Sequence, residues 1–222
     1  MILKDIYLYP EVQDYGGEIT YPFKELTRSL CNYLGRKVKE AKYETAGFNR
    51  VCFIGRKEPS GEPYVNSSNV LGVEIFIDEG EYRNTSKDEL NKYFSRLVMD
   101  GLDKVDDRYP LPKDIIVTAI NDFERSGFVN EWVFKKKKLK GYKLTGVLKC
   151  RLTLDNFFLD FEIINGSDVI YEENVITDHP NDFVFYYHLN KFNITDDYVV
   201  EVINKADNII YSKQLTDFLR DK

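Results

Sequence analysis

Residues 143–164 read KLTGVLKCRLTLDNFFLDFEII, and their alternation decides the fold of the second half of the chain. Leu144, Gly146, Leu148, Cys150, Leu152 and Leu154 fall on one face, with Lys143, Thr145, Val147, Lys149, Arg151 and Thr153 on the other. A period of two is what a strand with one buried face requires. Asp155-Asn156 then reads as a two-residue hairpin turn, because short polar side chains tolerate the positive φ such turns need. That turn predicts Leu152 opposite Leu159, Cys150 opposite Phe161 and Leu148 opposite Ile163. On the polar face it predicts Arg151 opposite Asp160 and Lys149 opposite Glu162. Each such pair contributes about 0.2 to 1 kcal/mol, so one register satisfies five contacts together.

Working outward from this hairpin, further short runs lie at 132–139, 169–176, 183–189, 198–203 and 209–212. Asn165-Gly166, Asp178-His179-Pro180-Asn181 and Lys205-Ala206-Asp207-Asn208 punctuate them. About seven strands in such a span predict a sandwich. Before Gly127 the period is instead 3.6. A strand at 2–9 precedes a helix opened by Pro22 and closed by Gly47, with Phe23, Leu26, Leu30, Cys31, Leu34 and Val38 on its apolar stripe. Strands follow at 50–54 and 70–77. Ser86-Lys87-Asp88-Glu89 reads as a capping box for a second helix, and Pro110 and Pro112 open a third that ends near Gly127. The expected fold class is α+β: a β-α-β-β-α-α domain over residues 1–128, then an all-β domain over 129–222.

Asp196-Asp197-Tyr198-Val199-Val200-Glu201-Val202 resembles the strand that carries the tyrosine corner in immunoglobulin-like and fibronectin type III domains, with Tyr198 as the corner residue. The likeness covers the last third of the chain. Val200 stands where antibody domains carry their second Cys, and their Trp mark is missing. The resemblance implies an immunoglobulin-like sandwich and leaves the function open.

The 222 residues carry 31 Lys plus Arg against 37 Asp plus Glu, a net charge of −6. That balance speaks against a general nucleic-acid or anionic-membrane binder, both of which need a cationic field. Cys31, Cys52 and Cys150 are widely spaced inside apolar patterns, as expected of reduced core thiols in a cytoplasmic protein. Met1-Ile2-Leu3-Lys4-Asp5 has no leader pattern, and no apolar run is long enough to span a bilayer.

No nucleotide loop, nucleophile elbow or paired cysteine–histidine motif is present. His179 with Asp178 or Asp182 is a candidate metal pair that reads more simply as an exposed loop. Glu74, Asp78, Glu79 and Glu81 cluster near the end of a strand. Glu74, Asp78 and Glu81 could hold a divalent cation for a hydrolase or nuclease, although no lysine follows Glu74 at the spacing such nucleases use. Asp100, Asp103 and Asp107 fall on one arc of the second helix, opposite Leu90, Phe94 and Leu97. Asp103, Asp106 and Asp107 also crowd the end of that helix, where the dipole disfavours anions by about 0.3 to 1 kcal/mol each. Residues that oppose local stability point to function.

Charge is segregated along the chain. Residues 58–125 hold 8 basic and 15 acidic side chains, residues 131–151 hold 8 and 1, and residues 152–222 hold 5 and 14. The basic island, Lys135 to Lys138 with Lys140 and Lys143 beside Trp132, Phe134 and Tyr142, could grip a phosphate backbone but reads more simply as paired with the acidic faces or as the solvated edge of a sheet. The acidic, aromatic-rich character resembles immunity proteins that neutralise toxins of interbacterial competition, a likeness of character without a motif. It implies a non-enzymatic protein without a cofactor, binding a basic protein partner through Asp100, Asp103, Asp107, Asp78, Glu79 and Glu81. The rival expectations are the metal-dependent hydrolase and an adaptor in a defence or secretion assembly.

Overall fold

The apolar runs near the N-terminus form a sheet buried on both faces, as parallel strands require. In the computed structural model, which describes residues 1–59 and 61–218, the first unit is Met1–Asn130. Its elements in chain order are β1 (Asp5–Pro10), α1 (Val12–Tyr15), α2 (Gly17–Leu26), α3 (Arg28–Glu40), β2 (Arg50–Arg56), β3 (Tyr64–Val65), β4 (Val70–Phe76), α4 (Glu79–Asn84), α5 (Leu90–Asp103) and α6 (Lys113–Arg125). The sheet order is β1-β2-β4-β3. β1, β2 and β4 run parallel, with Leu8 beside Phe53 and Phe53 beside Val73, and β3 joins β4 antiparallel. Phe23, Phe53, Phe94 and Phe123 are fully buried.

The long helix expected from Pro22 starts earlier and is broken in two. Gly16, at φ +72°, separates α1 from α2, so Pro22 lies inside α2. The Thr27 hydroxyl lies 3.0 Å from both Leu8 O and Lys24 O, tying the break between α2 and α3 to β1. The Ser86 capping box does not form: Ser86 makes no side-chain cap and precedes a 3-10 turn at Lys87–Glu89. α6 ends as its glycine foretold. Gly127 is at φ +71°, Phe128 N–H donates to Phe123 O at 2.8 Å, and the two rings meet at 5.4 Å. This is a Schellman end with its apolar contact.

Gly101 lets α5 lie against the sheet, because a Cβ there would overlap the buried ring of Phe53. Gly101→Ala should gain at most about 1 kcal/mol of helix propensity and lose about 1 to 3 kcal/mol to overpacking. The expected outcome is a lower midpoint in urea with an unchanged slope; a stabilised protein would disprove this packing.

The second unit, Glu131–Lys222, contains β5 (Glu131–Lys138), β6 (Leu144–Leu152), β7 (Phe157–Asn165), β8 (Asp168–Asp178), α7 (Asp182–Phe185), β9 (Lys191–Ile194), β10 (Val199–Ile203) and β11 (Ile209–Gln214). β5-β6-β7-β8 form one antiparallel sheet and β11-β10-β9 a second. Leu148, Cys150, Leu159 and Phe161 share one buried core with Phe192, Val200 and Val202, so the two sheets form a sandwich. Its strands follow one another as two meanders, whereas immunoglobulin-like domains interleave theirs between the sheets.

The β6–β7 hairpin keeps the expected faces but slips by two residues. Leu152 faces Phe157, Cys150 faces Leu159, Leu148 faces Phe161 and Lys149 faces Asp160. The Thr153 hydroxyl accepts from Asp155 N–H at 3.3 Å and Asn156 N–H at 3.1 Å, which makes Leu154-Asp155 the turn. Neither has positive φ. A slip of two preserves the inward set, whereas a slip of one would have turned it to solvent. The expected charge pairs survive as diagonals, Arg151–Asp160 at 3.8 Å and Lys149–Glu162 at 3.5 Å.

Two further expectations change. The run 183–189 forms the turn of helix α7, started by Asn181 accepting from Phe183 N–H at 3.0 Å, and the strand comes later as β9. Tyr198 is no tyrosine corner. It takes the left-handed position, φ +58°, of the β9–β10 turn, and its hydroxyl donates to the distant Lys140 O at 3.2 Å. The same turn recurs at Asn66–Val70 and Asn204–Asn208, each led by a side chain that accepts backbone N–H groups.

Glu173 joins β8 to β11. Lys213 Nζ lies 2.8 Å and the Tyr211 hydroxyl 2.7 Å from its carboxylate, and the Tyr171 hydroxyl also donates to it. The Lys213 hydrogen bond, then those of the tyrosines, hold Glu173 down at about 2. A carboxyl depressed in the folded state stabilises above its unfolded value and loses that contribution as pH falls toward the folded one. Because the side chain is 40% exposed, screening keeps the effect small. Glu173→Gln should flatten the fall in melting temperature between pH 4.5 and pH 2; an unchanged acid limb would show that the clamp does not act.

Candidate functional site

The acidic residues singled out in the sequence divide by what their side chains touch. Glu74, on β4, accepts from Gly61 N–H at 3.1 Å and lies 3.6 Å from Arg56, which also holds Asp14 at 2.8 Å. Asp78 caps α4 by accepting from Glu81 N–H at 3.0 Å. Glu79 pairs with Arg83 at 2.9 Å and Lys57 at 3.5 Å; the Arg83 hydrogen bond chiefly holds its carboxyl below the usual range. Glu81 meets Arg96 at 2.5 Å. The acids that follow β4 thus lie on or cap the helix α4, and Glu74, Asp78 and Glu81 turn to three different partners rather than to one point. Among the described residues no group of three or more His, Cys, Asp or Glu side chains is placed to hold a metal ion.

α5 ends at Asp103, so Asp100 and Asp103 share a helix while Asp107 lies in the turn beyond it. All three are exposed, and among the described residues no cation lies within ion-pair distance of Asp103 or Asp107. Asp106 is occupied instead: it accepts from Arg108 N–H at 2.9 Å and from Arg108 Nε at 2.8 Å, and Arg108 also reaches Glu62 at 2.8 Å. Lys113 Nζ donates to Val105 O at 2.7 Å and satisfies a carbonyl just past the helix end.

This turn walls a cleft of about 460 Å³. Val105, Leu111, Pro112 and Ile115 supply apolar lining, Asp107 and Asp114 stand beside it, and Asp106 and Lys113, held by Arg108 and by Val105 O, complete the polar part of the wall. Tyr43, from far upstream, forms another wall. Of these residues only Asp107 was read from the sequence as a candidate site residue. Pro110 and Pro112 were the available signal, since they fix the turn, but nothing in spacing links Tyr43 to it. The arrangement can accept an aliphatic stem carrying a cationic head, whose charge the two carboxylates would meet.

In the second unit Asp178 is held by His188 Nε2 at 2.7 Å and by His179 N–H at 2.7 Å, so its ring partner is His188 rather than the adjacent histidine. Lys135 Nζ donates to Asn190 O, and Lys136, Lys137 and Lys138 are exposed along β5. Cys31, Cys52 and Cys150 are buried, and none of the three is joined in a disulfide. Burial pushes the Cys52 thiol up to about 12, the opposite of an activated nucleophile.

Asp78→Ala should cost about 1 kcal/mol through the lost cap, read as a lower denaturation midpoint; an unchanged midpoint would remove the cap from the account. No family model, no curated protein and no solved structure matches this chain.

Proposed function

We propose that this chain is a non-enzymatic, cytoplasmic protein-binding protein whose first unit offers the carboxylates around the α5–α6 turn to a basic protein partner. The single observation carrying this reading is the open cleft of about 460 Å³ at this turn, of mixed polar and apolar lining, where Asp107 and Asp114 join Val105, Leu111, Pro112 and Ile115, with Asp106 and Lys113 already bound within the chain. It suits a lysine or arginine side chain of the partner, with Asp100 and Asp103 extending the acidic face along α5. The acids at Asp78, Glu79 and Glu81 are engaged within their own chain and contribute less. Immunity proteins that cover the cationic site of a toxin are the class this reading favours, with fast and salt-sensitive association. Three buried thiols outside any disulfide accord with a reducing compartment.

Titration with an oligolysine peptide, followed by amide chemical shifts, tests the face. Shifts should concentrate at Val105–Ile115 and weaken with salt. They should fall severalfold in Asp107→Asn/Asp114→Asn. Asp103→Asn removes an anion from a helix C-terminus and should leave melting temperature unchanged or slightly raised. Shifts spread evenly over the surface, or undiminished in the double variant, would overturn the reading.

A further inference from the structure

Sheet edges present unpaired backbone N–H and C=O groups, and proteins usually keep them short, charged or bulged. The four-stranded sheet of the second unit has β5 at one edge and β8 at the other, and no strand among the described residues pairs with either outer side. β8 runs for 11 residues with Val169 and Ile170 about half exposed. Bulges interrupt both edges and divide each into short regular stretches, one of which is the longest in each strand. On β5 this is Lys135–Lys138, and on β8 it is Tyr171–Asn174, which contains Glu172 and Glu173. The two stretches have opposite charge.

Their faces also agree. Lys136 and Lys138 pair with Val147 and Thr145 of β6, on the sheet's outer side, and Glu172 pairs with Glu162 on that same side. Among the described residues Lys136, Lys138 and Glu172 are exposed and have no ion-pair partner. In a continuous antiparallel sheet, directly opposed residues share a face. Glu172 can therefore stand opposite Lys136 or Lys138, and either register is favourable. Two β5 edges would instead oppose lysine to lysine, and two β8 edges glutamate to glutamate, so charge selects the unlike edges.

We propose that β8 of one molecule accepts β5 of a second copy, extending the sheet head to tail. β5 and β8 run in opposite directions within one chain. A second β5 laid antiparallel on β8 therefore repeats the orientation of the first, giving a heterologous contact that propagates as a chain or closes as a ring.

Sedimentation velocity of the full chain at low ionic strength tests this. The weight-average mass should rise with concentration above the 26.1 kDa of one chain and fall back as salt shortens the Debye length from about 30 Å to about 8 Å. Lys136→Glu/Lys138→Glu and Glu172→Lys should each abolish association while circular dichroism stays that of the parent. An equimolar mixture of the two variants should assemble again, since every junction between them carries opposite charges. A parent protein monomeric at every concentration and salt, variants that associate as well as the parent, or a mixture that stays monomeric would each overturn the proposal.

Discussion

A carboxylate withdrawn from water needs a cation or an N–H group in its place, and this requirement orders the acidic side chains of both units. Asp160 and Glu162 are only 5% and 7% exposed on the outer face of β7. They survive there because Lys149, Arg151 and the Asn174 amide, 2.7 Å from Asp160, lie around them. Glu131 completes the network by holding Lys149 at 2.8 Å. In the first unit Arg56 serves Asp14 and Glu74, and Arg96 serves Glu81. These acids stabilise the fold, and what they hold is no longer available to a partner.

The same requirement isolates the acids free to do something else. Asp103 and Asp107 sit at and beyond the end of α5, where the backbone carbonyls make anions unwelcome and where Lys113 and Arg108 are already committed to Val105 O and Asp106. An exposed anion that its own chain does not compensate costs little in water and becomes favourable when a cation is brought to it. The two prolines beside it restrict the backbone of the turn that walls the cleft.

Much of the fold is legible in the chain because alternation and helical stripes report which side is buried. The strands β2, β4, β6 and β7 and the helices α5 and α6 lie where the periods placed them. Boundaries failed where local hydrogen bonds compete. Thr153 moved the β6–β7 turn by one residue, Asn181 turned an apolar run into α7, and Thr27 split a helix whose apolar stripe ran unbroken through the split. Tyr198 misled for the same reason: its motif reads as a strand corner, but its backbone sits in the left-handed position of a turn.

The sequence by itself determined the α+β order, the change of period near Gly127, the inward faces of β6 and β7, and the segregation of acidic and basic stretches, because each follows from spacing along one element. Tertiary structure decided the rest. Whether Glu81 faces Arg96 and whether Tyr43 walls a cleft with Asp107 depend on residues far apart in the chain that only tertiary packing brings together. Charge acts through space with a strength set by the distance between partners, and a linear pattern carries no record of which distant residue will stand close by.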